Sequence, residues 1–221
     1  MIALLVMTDG RDDVLAETLP AVAAHVPHTR FVIHDDTGDL SHRAHLAETY
    51  RHLGVDVIGG DRRRGFGGAI TAAWAHLATV PETFVVHFED DFIPTRPVDW
   101  VDVADTLTRH PHLVQLALRR QPWNPDEIAA GGIVEQHPDD YTERSDRGAV
   151  WLEHARFFTT NPSMYRRSLC ARGWPSGANS EGRFGISLLE DDPDARFAFW
   201  GSRTSGEWVN HIGHHRVGTG Y

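Results

Sequence analysis

The sequence contains no lysine, so all 21 of its Lys/Arg positions are arginines. This absence excludes mechanisms that need a Schiff base or a lysine nucleophile. The single cysteine, Cys170, excludes intramolecular disulfides and a cysteine-based zinc site. Positive charge is also scarce, and the formal net charge of -10 makes the overall field of the protein repel nucleic acid and anionic membranes.

Long hydrophobic runs are missing as well. The apolar segment at residues 1–7 lacks a basic start and a small-residue cleavage site, which is typical of a strand and not of a signal peptide. No stretch approaches the roughly 20 apolar residues that are needed to cross a bilayer. We therefore expect a cytoplasmic protein that does not associate with membranes.

The first part of the chain alternates between short apolar runs and segments with helical periodicity. Strands are predicted at 2–7, 31–34, 55–58 and 83–88, and helices at 13–26, 40–53 and from the 62–69 segment through Leu77. Asp12 is the predicted N-cap of the first helix, and Pro20 is expected to disturb it. This order predicts an α/β fold with a mostly parallel sheet flanked by helices.

The second part of the chain has a less regular pattern. It predicts helices at 98–109, 163–170 and 180–190, strands at 113–118, 157–160 and 197–200, and a long loop at 119–149. We interpret residues 1–221 as a single domain, with a nucleotide-binding half at about 1–95 and an acceptor half at about 96–221.

Three consecutive acids follow the most apolar of the predicted strands. Glu89, Asp90 and Asp91 come directly after the run at 84–88, and the carboxyl ends of parallel strands form the ligand-binding edge of an open α/β sheet. Adjacent carboxylates repel one another unless a cation or hydrogen-bond donors offset their charge. The pattern indicates either a Mn²⁺ or Mg²⁺ site that serves a phosphate-bearing ligand, or an acidic turn without a ligand.

Two further segments fall near the same predicted edge. Asp35 follows the second strand, where its carboxylate can accept hydrogen bonds from a nucleobase or a ribose hydroxyl, or can form a local turn. Arg63, Arg64, Gly65 and Gly67 belong to a basic, glycine-rich turn at a helix start, which favours bound phosphate. An exposed basic loop is the alternative interpretation of that turn.

The C-terminal half contributes an acid and several histidines. Glu181 lies at the start of a predicted helix, where it serves either as a general base or as a partner of the positive helix end. His211, His214 and His215 lie near the C-terminus, and an imidazole can complete the coordination of a divalent cation. We rank His211 and His214 first among them.

Taken together, these motifs resemble a GT-A-fold glycosyltransferase of the GT2-like family. The stretch from Leu4 to Arg11 resembles the opening strand and Thr-x-x-Arg turn of that family, which implies donor binding by Thr8 and Arg11. Residues 33–39 resemble the base-binding acidic turn, which places Asp35 on the nucleobase. The segment at 64–71 resembles the family's Asn-x-Gly-x-x-x-Ala-x-Asn segment, with Arg63 and Thr71 where asparagines are usual.

The remaining correspondences concern the metal and the acceptor. Glu89, Asp90 and Asp91 resemble the Asp-x-Asp motif, which implies that Asp91 coordinates the metal and that the first two acids lie at the donor. Residues 161–174 resemble the acceptor-side segment, and Ser180-Glu181-Gly182 stands where the family has an acidic pair with its catalytic base. A C-terminal histidine ligand to the metal is also a feature of the family.

The resemblance implies metal-dependent transfer of a sugar from a nucleoside diphosphate, most simply a UDP-sugar, to an acceptor hydroxyl, with inversion by direct displacement. Compact enzymes of this kind occur in phages and bacteria, and the acceptor is a protein, a glycan or a modified DNA base. Three alternatives stay open: a sugar-nucleotide pyrophosphorylase, a non-catalytic nucleotide-binding module, and a His/Asp metal hydrolase.

Overall fold

The computed structural model describes residues 1–213. Within this range the strands are β1 (Ile2–Thr8), β2 (Arg30–Asp35), β3 (Val55–Gly59), β4 (Phe84–Glu89), β5 (Phe92–Pro94), β6 (Leu113–Ala117), β7 (Thr142–Asp146), β8 (Ala149–His154), β9 (Ser163–Arg166), β10 (Arg196–Trp200) and β11 (Val209–His211). The α-helices are α1 (Asp12–His25), α2 (Leu40–Thr49), α3 (Gly65–Leu77), α4 (Trp100–Arg109), α5 (Pro125–Ala130), α6 (Ile133–Gln136) and α7 (Ser180–Asp191).

Nine strands form one continuous sheet, in the order β3-β2-β1-β4-β9-β6-β10-β8-β7. The pairs β1–β2, β1–β4, β2–β3 and β6–β10 are parallel. Strand β9 runs antiparallel between β4 and β6, and β7 and β8 form an antiparallel hairpin at one edge. A separate antiparallel pair joins β5 to β11. The sheet therefore spans both predicted halves of the chain.

Each face of the sheet is covered by helices, because successive residues of a strand point to opposite faces. Leu4 and Val6 belong to the core that includes residues of α1 and α4, whereas Leu5 belongs to the core that includes residues of α3 and α7. The largest buried side chains of these two layers include Trp100 and Trp74, respectively. This three-layer arrangement leaves the carboxyl ends of β1, β2 and β4 at one edge of the sheet.

The structure confirms the predicted α/β class and most of the elements before residue 118. Helix α1 begins at Asp12 with Arg11 at the N-cap, so the predicted N-cap at Asp12 is wrong by one residue, and the helix continues through Pro20. Helix α2 ends at Thr49, and residues 51–53 form a 3₁₀ turn in place of the predicted last helical turn.

The prediction is less accurate after residue 118. Residues 119–149 are not one irregular loop, since they contain α5, α6 and β7. The strand predicted at 157–160 is irregular backbone, β8 was not predicted, and the helix predicted at 163–170 is β9 followed by a 3₁₀ turn at Arg167–Arg172. Helix α7 and strand β10 confirm the predictions at 180–190 and 197–200. None of the helices in the described range is both long and apolar enough to cross a bilayer.

Candidate active site

The register of the sheet brings the predicted donor-side residues to one edge. Thr8 at the end of β1 is paired with Asp35 at the end of β2, and Met7 is paired with Glu89 at the end of β4. Asp90 and Asp91 follow at the turn into β5. The three strand ends thus place acids from separate parts of the sequence side by side, as the ligand-binding edge of an α/β sheet requires.

Arg11 and Thr8 are held by the acids that follow β4. The guanidinium of Arg11 forms ion pairs with both Asp90 and Asp91. The Thr8 hydroxyl donates a hydrogen bond of 2.6 Å to Asp90. Burial raises the pKa of Asp90 to about 7, although Arg11 and Thr8 act in the opposite direction. Asp90 therefore links the end of β1 to the turn that follows β4. Thr8 and Arg11, which are both predicted to bind the donor, contact these acids directly.

Asp91 faces the C-terminal strand. Its Oδ2 lies 3.2 Å from Nε2 of His211, and the ring of His211 is stacked between Phe92 and Trp123, with centroid distances of 4.4 and 4.0 Å. Burial opposes ionisation of Asp91, but hydrogen bonding to His211 and the charge of Arg11 more than offset it, so the pKa of Asp91 is lowered. The predicted pair of metal ligands is therefore in direct contact.

Gln121 holds His211 by its backbone. The Gln121 side chain accepts a 2.8 Å hydrogen bond from the His211 amide and donates one of 2.8 Å to the His211 carbonyl. The pairing of His211 with Phe92 in the β5–β11 ribbon fixes the same backbone from the other side. His211 is thus positioned by a strand, a side-chain amide and two aromatic rings.

The protein ligands at this point suit a hard divalent cation whose coordination is completed by a bound ligand. Oδ1 of Asp91 is buried without a hydrogen-bond partner among residues 1–213, and His211 supplies a nitrogen next to it. The described residues contain no group of three or more potential protein ligands, and sites for such cations commonly combine one or two carboxylates with substrate phosphates. His214 lies outside the described residues.

The start of α3 differs from the predicted phosphate cradle. The carboxylate of Asp36 accepts hydrogen bonds from the amides of Arg64 and Gly65, at 2.9 and 2.8 Å. Two amides of the helix start are therefore already satisfied by Asp36, which acts as a cap from the end of β2. Arg63 forms an ion pair with Asp9 in the loop after β1. The basic turn is thus tied to the edge of the sheet by two aspartates.

Gly67 has a packing role that the sequence did not reveal. A Cβ atom at this position would lie 3.2 Å from Oγ of Ser180 and 3.5 Å from Trp174. The Trp174 indole also donates a 2.9 Å hydrogen bond to Ser180. Gly67 therefore allows the start of α3 to approach the start of α7, which brings the donor-side turn next to the helix that contains Glu181.

Asp35 is fully buried and locally paired. It accepts hydrogen bonds from the amide and hydroxyl of Thr37, at 3.0 and 2.8 Å, and its Oδ2 lies 3.1 Å from His42. These contacts are those of a turn, one of the two interpretations of the sequence. They also fix the carboxylate at the sheet edge, where the resemblance places the nucleobase.

Glu181 lies across the site, on the first turn of α7. Its Oε1 accepts hydrogen bonds from the Thr160 amide at 2.6 Å and from the Thr160 hydroxyl at 3.1 Å. Glu89 also contacts Thr160, and burial together with the negative charges of Asp91 and Glu181 raises the pKa of Glu89 to about 8. Glu89 thus lies with Glu181 and Thr160, whereas Asp90 and Asp91 lie with Arg11.

Several residues of the site were not predicted. Asp36 could have been predicted from its position, because it directly follows a strand that ends at the edge of the sheet where the site lies. Gln121 and Thr160 could not have been predicted, because each contacts a residue that is distant in the sequence: Gln121 binds the backbone of His211, and Thr160 donates to the side chain of Glu181. Among the tryptophans, Trp151 and Trp174 are buried in the core, whereas Trp123 is 37% exposed.

Comparison with known proteins gives a likeness in structure only. No protein-family model matches the chain, and no curated protein sequence is similar to it. S. aureus TarS 1-349 in complex with UDP-GlcNAc has a TM-score of 0.62 and 15% identity, covering 98% of this chain and 61% of that chain. Mannosyltransferase PcManGT from Pyrobaculum calidifontis, in complex with GDP-Man and Mn²⁺, has a TM-score of 0.60 and 15% identity, covering 93% and 58%.

A third solved structure, GalNAc-T7 with UDP, GalNAc and Mn²⁺, has a TM-score of 0.63 and 11% identity, covering 96% of this chain and 44% of that chain. The chain has the GT-A fold. The predicted resemblance is thereby confirmed for the GT-A architecture. The chain spans less than two thirds of the length of these proteins.

Proposed function

We propose that this GT-A chain is a glycosyltransferase that moves a sugar from a nucleoside-diphosphate sugar to an acceptor hydroxyl with the help of a divalent metal ion. The observation that carries the proposal is the arrangement of three acids across one edge of the sheet. Asp91 is paired with His211 on one side, Glu181 lies on the other, and Glu89 connects the two groups through Thr160. The proposed metal ligands and the proposed base are thus connected through Glu89 and Thr160.

The metal would be held by Asp91 and His211. A carboxylate suits both Mn²⁺ and Mg²⁺, and the imidazole favours the softer Mn²⁺. When bound, the cation neutralises the charge that develops on the leaving diphosphate. Arg11 already spans Asp90 and Asp91, and its guanidinium supplies a second positive charge beside the place where that charge develops.

Glu181 is the proposed general base, and the reaction is a single displacement. Glu181 takes the proton of the acceptor hydroxyl while the oxygen forms a bond to the anomeric carbon. The bond from that carbon to the diphosphate breaks on the opposite side, and the electron pair leaves with the phosphate. Because the acceptor oxygen attacks the face opposite the leaving diphosphate in this proposal, the anomeric configuration is inverted.

The donor assignment is supported by the sheet edge and by the neighbours. Asp35 is buried at the end of β2, where a nucleobase would lie in this fold. The three similar structures contain UDP-GlcNAc, GDP-Man with Mn²⁺, and UDP with Mn²⁺. We propose a UDP-sugar as the donor and Mn²⁺ as the cofactor; a protein, a glycan and a modified DNA base remain the candidate acceptors.

Donor binding is tested by thermal stability against a panel of nucleoside diphosphates, with and without Mn²⁺. Bound ligand stabilises the folded state by mass action, so one diphosphate is expected to raise the melting temperature only when Mn²⁺ is present. Asp91→Ala is expected to abolish this shift. The exposed Asp105 of α4 gives a matched control, Asp105→Ala, which keeps it. Absence of a shift with every nucleotide in the wild-type protein would refute the proposal.

Transfer is tested with Glu181→Gln, which should bind the donor normally and lose activity. Glu190 is exposed on the same helix, so Glu190→Gln is the control that keeps activity. A non-catalytic nucleotide-binding module would show donor binding without turnover in the wild-type protein. A pyrophosphorylase would form the nucleotide sugar from a nucleoside triphosphate, and a hydrolase would act without any nucleotide.

A further inference from the structure

Thr160 makes a contact with Glu181 that the proposed reaction can use. The Thr160 amide and hydroxyl both donate to Oε1 of Glu181, at 2.6 and 3.1 Å. Oε2 receives no hydrogen bond from residues 1–213. The two oxygens of the carboxylate are therefore distinguished, with one held by the protein and the other left to meet a ligand.

The segment that carries Thr160 is itself fixed from the core. Gln115 of β6 is 1% exposed, and its side chain donates to the Thr159 carbonyl at 2.6 Å and accepts from the Thr159 amide at 3.1 Å. The same side chain donates to the hydroxyl of Ser163 at 2.8 Å. Residues 159–162 have irregular backbone before β9 begins, so these hydrogen bonds replace the missing strand ladder.

Helix α7 is held against the same segment by a close approach. A Cβ atom added to Gly185 would lie 2.8 Å from the Phe158 amide nitrogen. Gly185 and Glu181 are four residues apart and so lie on one face of the helix. The contact of Gly185 with Phe158 therefore fixes the position of α7 relative to this segment. In that position Glu181 contacts Thr160, which lies two residues after Phe158.

We infer that Thr160 is a positioning residue, which holds Oε1 of Glu181 so that Oε2 points to the acceptor hydroxyl. The inference rests on the proposed function, because it gives Thr160 a role only if Glu181 is the base. Glu89 at the end of β4 also contacts Thr160, and the negative charge of Glu181 contributes to the raised pKa of Glu89. Thr160 is therefore in contact with both acids.

The test compares Thr160→Val, which removes the hydroxyl and keeps the shape, with Thr160→Ser, which restores it. Thr108, exposed on α4, gives the matched control Thr108→Val. The assay is the release of UDP from UDP-GlcNAc in the presence of Mn²⁺, with water as the acceptor. Loss of a hydrogen bond to a charged group should lower kcat about tenfold in Thr160→Val, with KM unchanged, and Thr160→Ser should restore it.

A double variant separates positioning from general destabilisation. If Thr160 acts through Glu181, Thr160→Val should cause no further loss in a Glu181→Gln background. A wild-type kcat in Thr160→Val, while Glu181→Gln is inactive, would overturn the inference and leave the proposed function standing. A wild-type kcat in Glu181→Gln would instead overturn the proposed base and, with it, the role of Thr160.

The contact itself can be measured without turnover. With ¹⁵N-labelled threonine, the amide proton of Thr160 is expected downfield in the wild-type protein, and upfield of that position in Glu181→Ala, which removes the acceptor oxygen. Its resonance is assigned by its loss in Thr160→Ser. If the resonance does not move in Glu181→Ala, Glu181 does not accept from this amide, and the inference fails whatever donor the protein uses.

Discussion

Alanine substitutions at the two glycines of α7, Gly182 and Gly185, are expected to change stability in opposite directions. A Cβ atom at Gly185 would lie 2.8 Å from the Phe158 amide nitrogen and 3.3 Å from the Phe158 Cβ. The three atoms nearest to a Cβ atom at Gly182 would all belong to the side-chain amide of Asn179, at 2.7–3.1 Å. Asn179 is exposed and its side chain can rotate, whereas Phe158 is buried on a segment that Gln115 fixes.

The magnitudes follow from two competing terms. Alanine is about 1 kcal/mol more favourable than glycine inside a helix, and overpacking of a rigid contact costs about 1–3 kcal/mol. At Gly182 the helix propensity of alanine acts almost alone, so we expect a stabilisation of roughly 0.5 kcal/mol near the helix end. At Gly185 the cost of overpacking exceeds the gain in helix propensity, which leaves a destabilisation of roughly 1 kcal/mol.

Thermal unfolding of the two variants beside the wild-type protein measures this difference. For a protein of this size, 1 kcal/mol corresponds to about 2–4 °C in Tm. Gly185→Ala should therefore melt about 2–4 °C lower and Gly182→Ala slightly higher. Because α7 must move away from Phe158, Gly185→Ala should also lower UDP release from UDP-GlcNAc, while Gly182→Ala retains it.

The reasoning would be refuted if Gly185→Ala were as stable as the wild-type protein and fully active. That result would show that α7 is free to shift on the 157–160 segment. The same freedom would then apply to Glu181, which lies on the same face of the helix. A loss of stability in both variants would instead show that glycine is needed throughout the first turns of α7.

Three further predictions concern other parts of the site. Asp36→Ala removes the cap on the amides of Arg64 and Gly65 and should cost about 1 kcal/mol in urea unfolding; an unchanged midpoint would show that the cap is not needed. Burial, and after it the neighbouring acids, raises the pKa of Glu89 from 4.5 to about 8. In metal-free buffer, the folded state therefore binds the Glu89 proton more tightly than the unfolded state does. Stability should therefore fall as pH rises from 4.5 to about 8, and Glu89→Gln should flatten that fall; an equal slope in the variant would contradict the assignment. Gln121→Leu removes both hydrogen bonds to the His211 backbone and should weaken Mn²⁺ binding in the presence of UDP about tenfold in calorimetry; equal affinity would exclude a positioning role.

The accuracy of the sequence-based prediction depends on how each element is stabilised. Strands β1, β2 and β4 are apolar runs between helices with local periodicity, and their boundaries are predicted to within two residues. Parallel β-α-β order then fixes which strand ends meet, so the convergence of Asp35, Asp90 and Asp91 follows from the sequence.

The elements after residue 118 are stabilised differently. Strand β9, Ser163–Arg166, has a polar residue, Ser163, bonded to Gln115, and a tyrosine whose hydroxyl accepts from Trp74. Its position between β4 and β6 depends on partners about 50 to 90 residues away. The local hydrophobic periodicity of the sequence does not indicate these partners. The helix predicted at 163–170 was wrong for this reason: tertiary pairing overrides local propensity in short strands.

The three acids after β4 show how far a motif can be interpreted without coordinates. In the sequence they form one unit, and their mutual repulsion is the argument for a cation. In the structure Glu89 contacts Thr160, Asp90 accepts from Thr8 and Arg11, and Asp91 contacts Arg11 and His211. Since Asp90 and Asp91 share Arg11 and each has a further partner, protein groups already offset part of the repulsion between them. The cation is therefore proposed at Asp91 and His211, where one carboxylate oxygen of Asp91 is buried without a hydrogen-bond partner among the described residues. It follows that substitutions in this motif should separate by function: loss of metal-dependent donor binding at Asp91, loss of the contacts with Thr8 and Arg11 at Asp90, and loss of the contact with Thr160 at Glu89.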